Sequence, residues 1–243
     1  MRVAALFDVH GNLPALEAVL AEVERADVDV IVSGGDVAAG PMPAECVDRL
    51  RGFGARVHWV RGNADREEAL PDHLRESSGA FFADRLGPER RAFVAEAPLT
   101  ARIEVDELGP VLFCHATPRS DEEIVTRLTP EDRLAEVLAG VEERTIVCGH
   151  THVQFDRSAA GRRIVNAGSV GMPYEGRRGA FWACLGPEVE LRRTEYDVEA
   201  AAEAIRATAY PEAAQLVGWL LEPPDPVETS EYFESLEARS AGT

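Results

Sequence analysis

The stretch Asp8-Val9-His10-Gly11-Asn12 closes a short apolar run and holds the first side chains that could do chemistry. Extended backbone sends alternate side chains to opposite faces, so Asp8 and His10 are expected to point one way while Val9 enters a core. A carboxylate beside an imidazole at a strand end is half of a metal shell. Similar strand ends recur at Gly34-Gly35-Asp36, Arg61-Gly62-Asn63-Ala64-Asp65, Cys114-His115 and Gly149-His150-Thr151-His152. Four of the six histidines therefore stand at strand ends or in the turns behind them. His58, within a strand, and His73, in a charged helical stretch, have no such setting.

Asp8, His10, Asp36, Asn63, His115, His150 and His152 make seven side-chain donors, too many for one ion. Two ions about 3.5–4 Å apart would use them all if one carboxylate bridged. Imidazole and carboxylate donors without thiolate suit two divalent transition-metal ions, Mn²⁺ first and Fe²⁺, Zn²⁺, Co²⁺ or Ni²⁺ behind it, rather than Ca²⁺ or Mg²⁺. Four positive charges against two carboxylates leave a positive centre, which favours a phosphate.

The elements that must hold these groups follow from the apolar pattern. Residues 2–8 read as a buried parallel strand. Behind it, Asn12 caps a helix with Pro14 in its first turn and an apolar stripe of Leu13, Leu16, Val19, Leu20 and Val23. Strands over 29–33 and 56–60 flank a helix opened by Pro43, giving strand–helix–strand–helix–strand. Such α/β sheets gather their chemistry at the carboxyl ends of strands, in one crevice. Residues 66–98 form a charged helical insert anchored by Phe81, Phe82, Leu86, Phe93 and Val94, placed to wall that crevice. Strands are expected over 102–105, 111–114 and 145–148, with Thr129 capping a helix between the last two. Mainly antiparallel strands follow over 153–157, 163–165, 180–185 and 189–193. Asp197 caps a helix to Ile205, and Pro211 starts another. Residues 1–221 form a single domain, and 222–243 an acidic, Pro-containing tail, either mobile or loosely docked.

With 43 acidic against 25 basic side chains in 243 residues, the formal net charge is −18. Such a field repels nucleic acid and anionic membranes, so neither is an expected partner. Cys46, Cys114, Cys148 and Cys184 show no C-x-x-C spacing and read as reduced core residues. No apolar run approaches the roughly 20 residues of a membrane span, and no signal-peptide pattern opens the chain. These features together give the expectation of a cytoplasmic protein; homo-oligomerisation is left open.

Asp8-x-His10, Gly35-Asp36, Gly62-Asn63-x-Asp65, His115 and Gly149-His150-x-His152 resemble the five ordered motifs of calcineurin-like metallophosphoesterases. Asn166-Ala167-Gly168-Ser169-Val170-Gly171 is similar to a loop of that family's small prokaryotic branch. The resemblance implies a four-layer α/β/β/α sandwich, two mixed sheets face to face with helices outside. It implies Asp8, His10 and His152 on one ion, Asn63, His115 and His150 on the other, and Asp36 bridging. Asp36, Asn63 and His115 are the expected catalytic residues, around a hydroxide activated by both ions. Many members pair a His after the motif Asn with an Asp shortly after the bridging Asp, as a leaving-group acid. Here Ala64 follows Asn63, and Val37-Ala38-Ala39-Gly40 follows Asp36. With both halves absent, phosphodiester or nucleotide-type substrates stand slightly ahead of the phosphomonoesters or phosphoproteins of a phosphatase. A non-catalytic scaffold of the same fold is the alternative from another class.

Three weaker candidates remain. Asn12 either touches substrate or serves only as a cap; Asp65 either supports a ligand or caps a helix; Arg119, like Arg61 and Arg66, either holds a phosphate or sits in a surface ion pair.

Overall fold

The computed structural model describes residues 1–66 and 72–240. β1 (Val3–Leu6) is buried at every position, because it packs on both faces. Its alternation divides the side chains: Ala4 and Leu6 face helices, while Val3 and Ala5, with Phe7 just beyond the strand, face a second sheet. α1 (Leu13–Arg25) turns Leu16, Val19, Leu20 and Val23 onto that first face. β2 (Val30–Ser33), α2 (Pro43–Arg51) and β3 (Val57–Trp59) repeat the unit, and β1, β2 and β3 pair in parallel.

α3 (Asp72–Ala95) breaks at Gly87, whose φ of 72° and ψ of 159° lead into Pro88. Of the expected anchors, Leu86 and Val94 are buried in the core, and Phe93 meets Trp59 edge-on at 4.9 Å. Residues 67–71 of the insert and 241–243 of the tail lie outside the described residues, as does the side chain of His73.

The second sheet uses β4 (Thr100–Val105), β5 (Gly109–Cys114), β6 (Thr145–Cys148), β7 (Phe155–Ala159) and β8 (Arg162–Asn166), in the order β4-β5-β6-β8-β7. β5, β6 and β8 run parallel and the two edges antiparallel. β9 (Ala180–Leu185) and β10 (Val189–Thr194) complete the first sheet as β10-β9-β1-β2-β3, with β9 antiparallel to β1. Both sheets are therefore mixed. Phe7, Val32, Phe113, Val147 and Val165 fill the space between them. α4 (Glu131–Val137) covers the outer face of the second sheet through Leu134 and Val137. The result is the four-layer sandwich.

Thr129 does not cap α4. Pro130 takes the cap position without a side-chain hydrogen bond, and the Thr129 hydroxyl accepts from the N–H of Thr126 (2.8 Å) while donating to Glu234. α5 (Val198–Arg206) and α6 (Ala213–Leu221) pack on each other through Val198, Ile205, Leu216 and Leu220. Beyond Glu222 the chain forms α7 (Pro226–Ser240). Glu234 accepts from the hydroxyls of Thr126 and Thr129, and Glu237 accepts from Arg133 (2.7 Å) and the N–H of Ile124 (3.4 Å). The acidic side chains that make this stretch look like a solvated tail are the groups that dock it. All four cysteines are free and buried. No described helix is long and apolar enough to cross a membrane.

Candidate metal centre

β1 ends at Leu6, so strand alternation does not aim Asp8 and His10 as expected. Both lie beyond it in the left-handed region, with φ of 55° and 45°. Asp36, His150 and His152 share that conformation, at 53°, 66° and 58°. Asp and His tolerate it better than most residues but still at a cost, and such clustering marks sites where geometry outranks local comfort. The turns rest on one another. The N–H groups of Asp8 and His10 donate to the carbonyls of Gly35 (3.1 Å) and Asp36 (2.8 Å), and the N–H of Gly171 donates to the Asp8 carbonyl (3.0 Å).

Three imidazoles are fixed in the same way. Nδ1 of His10 faces the Ala39 carbonyl (3.1 Å), Nδ1 of His115 the Gly34 carbonyl (2.9 Å), and Nδ1 of His152 the Met172 carbonyl (2.7 Å). A carbonyl only accepts, so each Nδ1 carries a proton and each Nε2 is left to face a further proton or a cation. Those Nε2 atoms converge. His10 and His152 bring Nε2 to within 3.2 Å of each other, and Nε2 of His115 lies 3.1 Å from Asn63 Oδ1 and 3.4 Å from Asp36 Oδ2. Asp8 Oδ1 is buried with no hydrogen-bond partner, 3.2 Å from Nε2 of His152, 3.8 Å from that of His10 and 3.9 Å from that of His115.

Acceptors facing acceptors, with an unpaired buried carboxylate oxygen between them, need a proton or a cation. Among the described residues, two groups have ligand atoms close enough to share an ion: Asp8–His10–His152 and Asp8–Asp36–His115. The first is the trio expected for one ion. Asn63 lies beside the second through His115. His150 is set apart: its N–H donates to Asp8 Oδ2 (2.9 Å), and its Nε2 faces the Glu122 carbonyl (3.1 Å), leaving Nδ1 to meet an ion. The donor set fits divalent metals.

Residues 1–185 match the family model of the calcineurin-like phosphoesterase superfamily domain. The chain belongs to that superfamily. A curated, uncharacterized protein of Methanocaldococcus jannaschii is 30% identical over 237 residues, covering 86% of this chain and 94% of its own. The crystal structure of a metallophosphoesterase from Sphaerobacter thermophilus has a TM-score of 0.73 and 27% identity, over 91% of this chain and 98% of that one. A hypothetical protein from Pyrococcus horikoshii OT3 shares the fold with a TM-score of 0.79 at 20% identity, over 92% and 99%.

In this calcineurin-like site the charges explain how the protein stands without metal. Burial alone would lower His115, but the carboxylates of Asp36 and Asp8 reverse that and hold it up at about 10. Burial, and next the neighbouring His115, push His150 down to about 4. Burial also opposes ionisation of Asp8 and Asp36, yet the surrounding imidazoles hold both below the usual carboxylate range.

The weaker candidates separate clearly. Asn12 is a buried cap: its Oδ1 accepts from the N–H of Ala15 (3.2 Å) and its amide donates to the Gly171 carbonyl (2.9 Å). Asp65 clamps the Asp36 turn, accepting the N–H groups of Asp36 and Gly62 (both 2.9 Å) and Val37 (3.2 Å); burial, then the charge of Asp36, pushes it up to about 7. Arg119 is committed to Glu123 (2.6 Å) and Glu136 (3.1 Å), while Arg61 and Arg66 share Asp121. Tyr174 and Glu122 had no mark in their local sequence. Tyr174 stacks on His152 with centroids 4.8 Å apart, and Glu122 touches the site through a backbone carbonyl, which its residue type does not reveal.

Proposed function

We propose that this chain is a metal-dependent hydrolase of phosphate esters, with phosphodiester or nucleotide-type substrates ahead of phosphomonoesters. One observation carries the reading: three imidazoles with Nδ1 fixed by carbonyls turn Nε2 toward the unpaired oxygen of Asp8. Asp8, His10 and His152 would hold one ion; Asn63, His115 and His150 the other; Asp36 would serve both. Bound there, two divalent ions, Mn²⁺ first, supply Lewis-acid polarisation of the phosphoryl oxygens and a hydroxide near neutral pH.

The chain's own residues set the rest. Asp36 is held by the N–H of Ala64 on Oδ1 (2.8 Å), which leaves Oδ2 toward the cluster. The carbonyls behind His10, His115 and His152 fix tautomer and ring orientation, which raises ligand basicity. No acid stands at Ala64 or Ala39, so the leaving oxygen departs with little help from a side chain. That favours esters of acidic alcohols, such as aryl or nucleotide groups, over alkyl monoesters.

The test is metal analysis of the purified protein together with Mn²⁺-dependent rates on bis-p-nitrophenyl phosphate and p-nitrophenyl phosphate. The diester should be preferred, and Asp36→Asn should lower kcat at least about 100-fold. A strong monoester preference would reverse the substrate order. Unchanged hydrolysis by Asp36→Asn would remove Asp36 from its role, and absence of both metal and hydrolysis would favour a scaffold.

A further inference from the structure

The residues assigned above to the second ion, Asn63, His115 and His150, come from three separate strand ends, yet one loop touches all of them. His115 opens the segment between β5 and α4, and its carbonyl accepts the N–H of Gly149, the neighbour of His150 (2.9 Å). The segment then reverses at Thr117–Ser120, where the Thr117 N–H donates to the Ser120 carbonyl (2.9 Å) and the Ser120 N–H to the Thr117 hydroxyl (3.1 Å). That turn brings Asp121 and Glu122 back to the site. The Glu122 carbonyl faces Nε2 of His150 (3.1 Å). Asp121 reaches the turn that bears Asn63 from both sides. Its Oδ2 accepts from Nε of Arg61 (3.1 Å) and of Arg66 (2.9 Å), and its Oδ1 from Nη2 of Arg66 (2.8 Å).

The Asp121 side chain is 8% exposed, against 29% and 28% for Arg61 and Arg66, so this carboxylate has given up most of its water. A buried carboxylate depends on its charged partners and holds them in turn. Neutralising it leaves two guanidinium groups facing an amide, and both gain by turning to solvent. Arg61 stands two residues before Asn63 and Arg66 three after it, so their release frees the turn that aims the Asn63 side chain. The first ion's residues have other supports. The rings of His10 and His152 rest on the carbonyls of Ala39 and Met172, and the Asp8 carbonyl on the N–H of Gly171, none of which belongs to this loop.

We propose that Asp121 is a positioning residue for the second ion alone. Through Arg61 and Arg66 it orients Asn63, and by tying the loop to that turn it sets the Glu122 carbonyl against His150. Asp121 therefore governs the affinity of one ion and leaves the other to its own supports. The proposal rests on the two-ion reading of the centre.

The experiment uses the full chain, stripped with chelator and titrated with Mn²⁺ alone. Calorimetry counts the ions and their affinities, and electron paramagnetic resonance separates a coupled pair from an isolated ion. The unaltered chain should bind two Mn²⁺ and give the coupled spectrum at saturation. Asp121→Asn should bind one ion with unchanged affinity and the other about 10- to 100-fold more weakly. At the Mn²⁺ concentration that saturates the unaltered chain, its spectrum should be the six-line signal of an isolated ion. Arg66→Gln, at a part-exposed position, should show the same split to a smaller degree, and it decides alone if Asp121→Asn does not fold. Two ions bound with unchanged affinities by the variants, or a loss shared equally by both ions, overturns the positioning role and spares the metal centre. An unaltered chain that binds fewer than two Mn²⁺ overturns the two-ion reading beneath it.

Discussion

At the scale of single residues, His115 shows what the site asks of its own charges. Held at about 10 in the metal-free protein, it stays protonated where an unfolded chain would have released its proton, near pH 6.5. A folded-state value raised above the unfolded one contributes stability that is complete below about pH 6.5 and disappears as pH rises through about 10. His150 works in a separate window: lowered to about 4, it favours the folded state above about pH 6.5 and costs stability as pH falls through 4. Chelator-treated protein should therefore lose melting temperature between about pH 7 and 10. Because Asp36 is the largest influence raising His115, Asp36→Asn should flatten that decline. Circular-dichroism melts across that range, with and without the substitution, read the effect directly, and parallel pH profiles would contradict it. Residue types were enough to single out seven candidate donors, of which the structure brings Asp8, His10, Asp36, His115 and His152 into groups that could hold an ion. Their left-handed φ angles were not legible, because a backbone conformation imposed by neighbouring turns leaves no mark at the residue that adopts it.

At the scale of elements, the ligand turns hold because three glycine-containing segments come close to them. A Cβ on Gly40 would strike the carbonyl of His10, one on Gly62 the carboxylate of Asp36, and one on Gly171 the carbonyl of Val9. Each clash is with backbone or a fixed ligand, and none can be relieved by rotating a flexible side chain. Gly171→Ala should cost about 1–3 kcal/mol, readable by urea unfolding, and should weaken metal binding because the Gly171 N–H holds the Asp8 carbonyl. An alanine variant with wild-type stability and metal content would show that the loop after β8 yields more easily than this packing allows. The positions of the strands along the chain could be read from the sequence, since buried parallel strands are short apolar runs and their glycine turns punctuate them, but their order within the two sheets could not. The cap of α4 could not. Thr129 has the right type for that role, but Glu234, 105 residues further on, takes its hydroxyl. Local propensity is a weak guide wherever a distant partner competes for the same group.

At the scale of the whole molecule, a chain with net charge −18 gathers imidazoles and two carboxylates at one crevice and then closes part of that crevice with acidic helices. α7 gives the clearest case. None of the buried core clusters includes any of its described residues, so the sandwich does not depend on it. Its contacts instead reach the segment from Ile124 to Arg133, through Glu234 and Glu237, two residues beyond the Glu122 carbonyl that faces His150. Phe233 adds a ring 6.4 Å from that of His150. Ending the chain before Pro226 should therefore leave a folded sandwich whose His150 is poorly oriented. Outer partners of metal-binding histidines are worth about 10- to 100-fold in affinity, so the truncated protein should bind Mn²⁺ more weakly by that order. Titration calorimetry on chelator-treated samples measures it, with circular dichroism confirming the fold. Equal affinity in the two proteins would make α7 a cover for the second sheet's edge with no hold on the metal centre. Restoration of affinity by adding the 226–240 peptide in trans would tie the effect to docking itself.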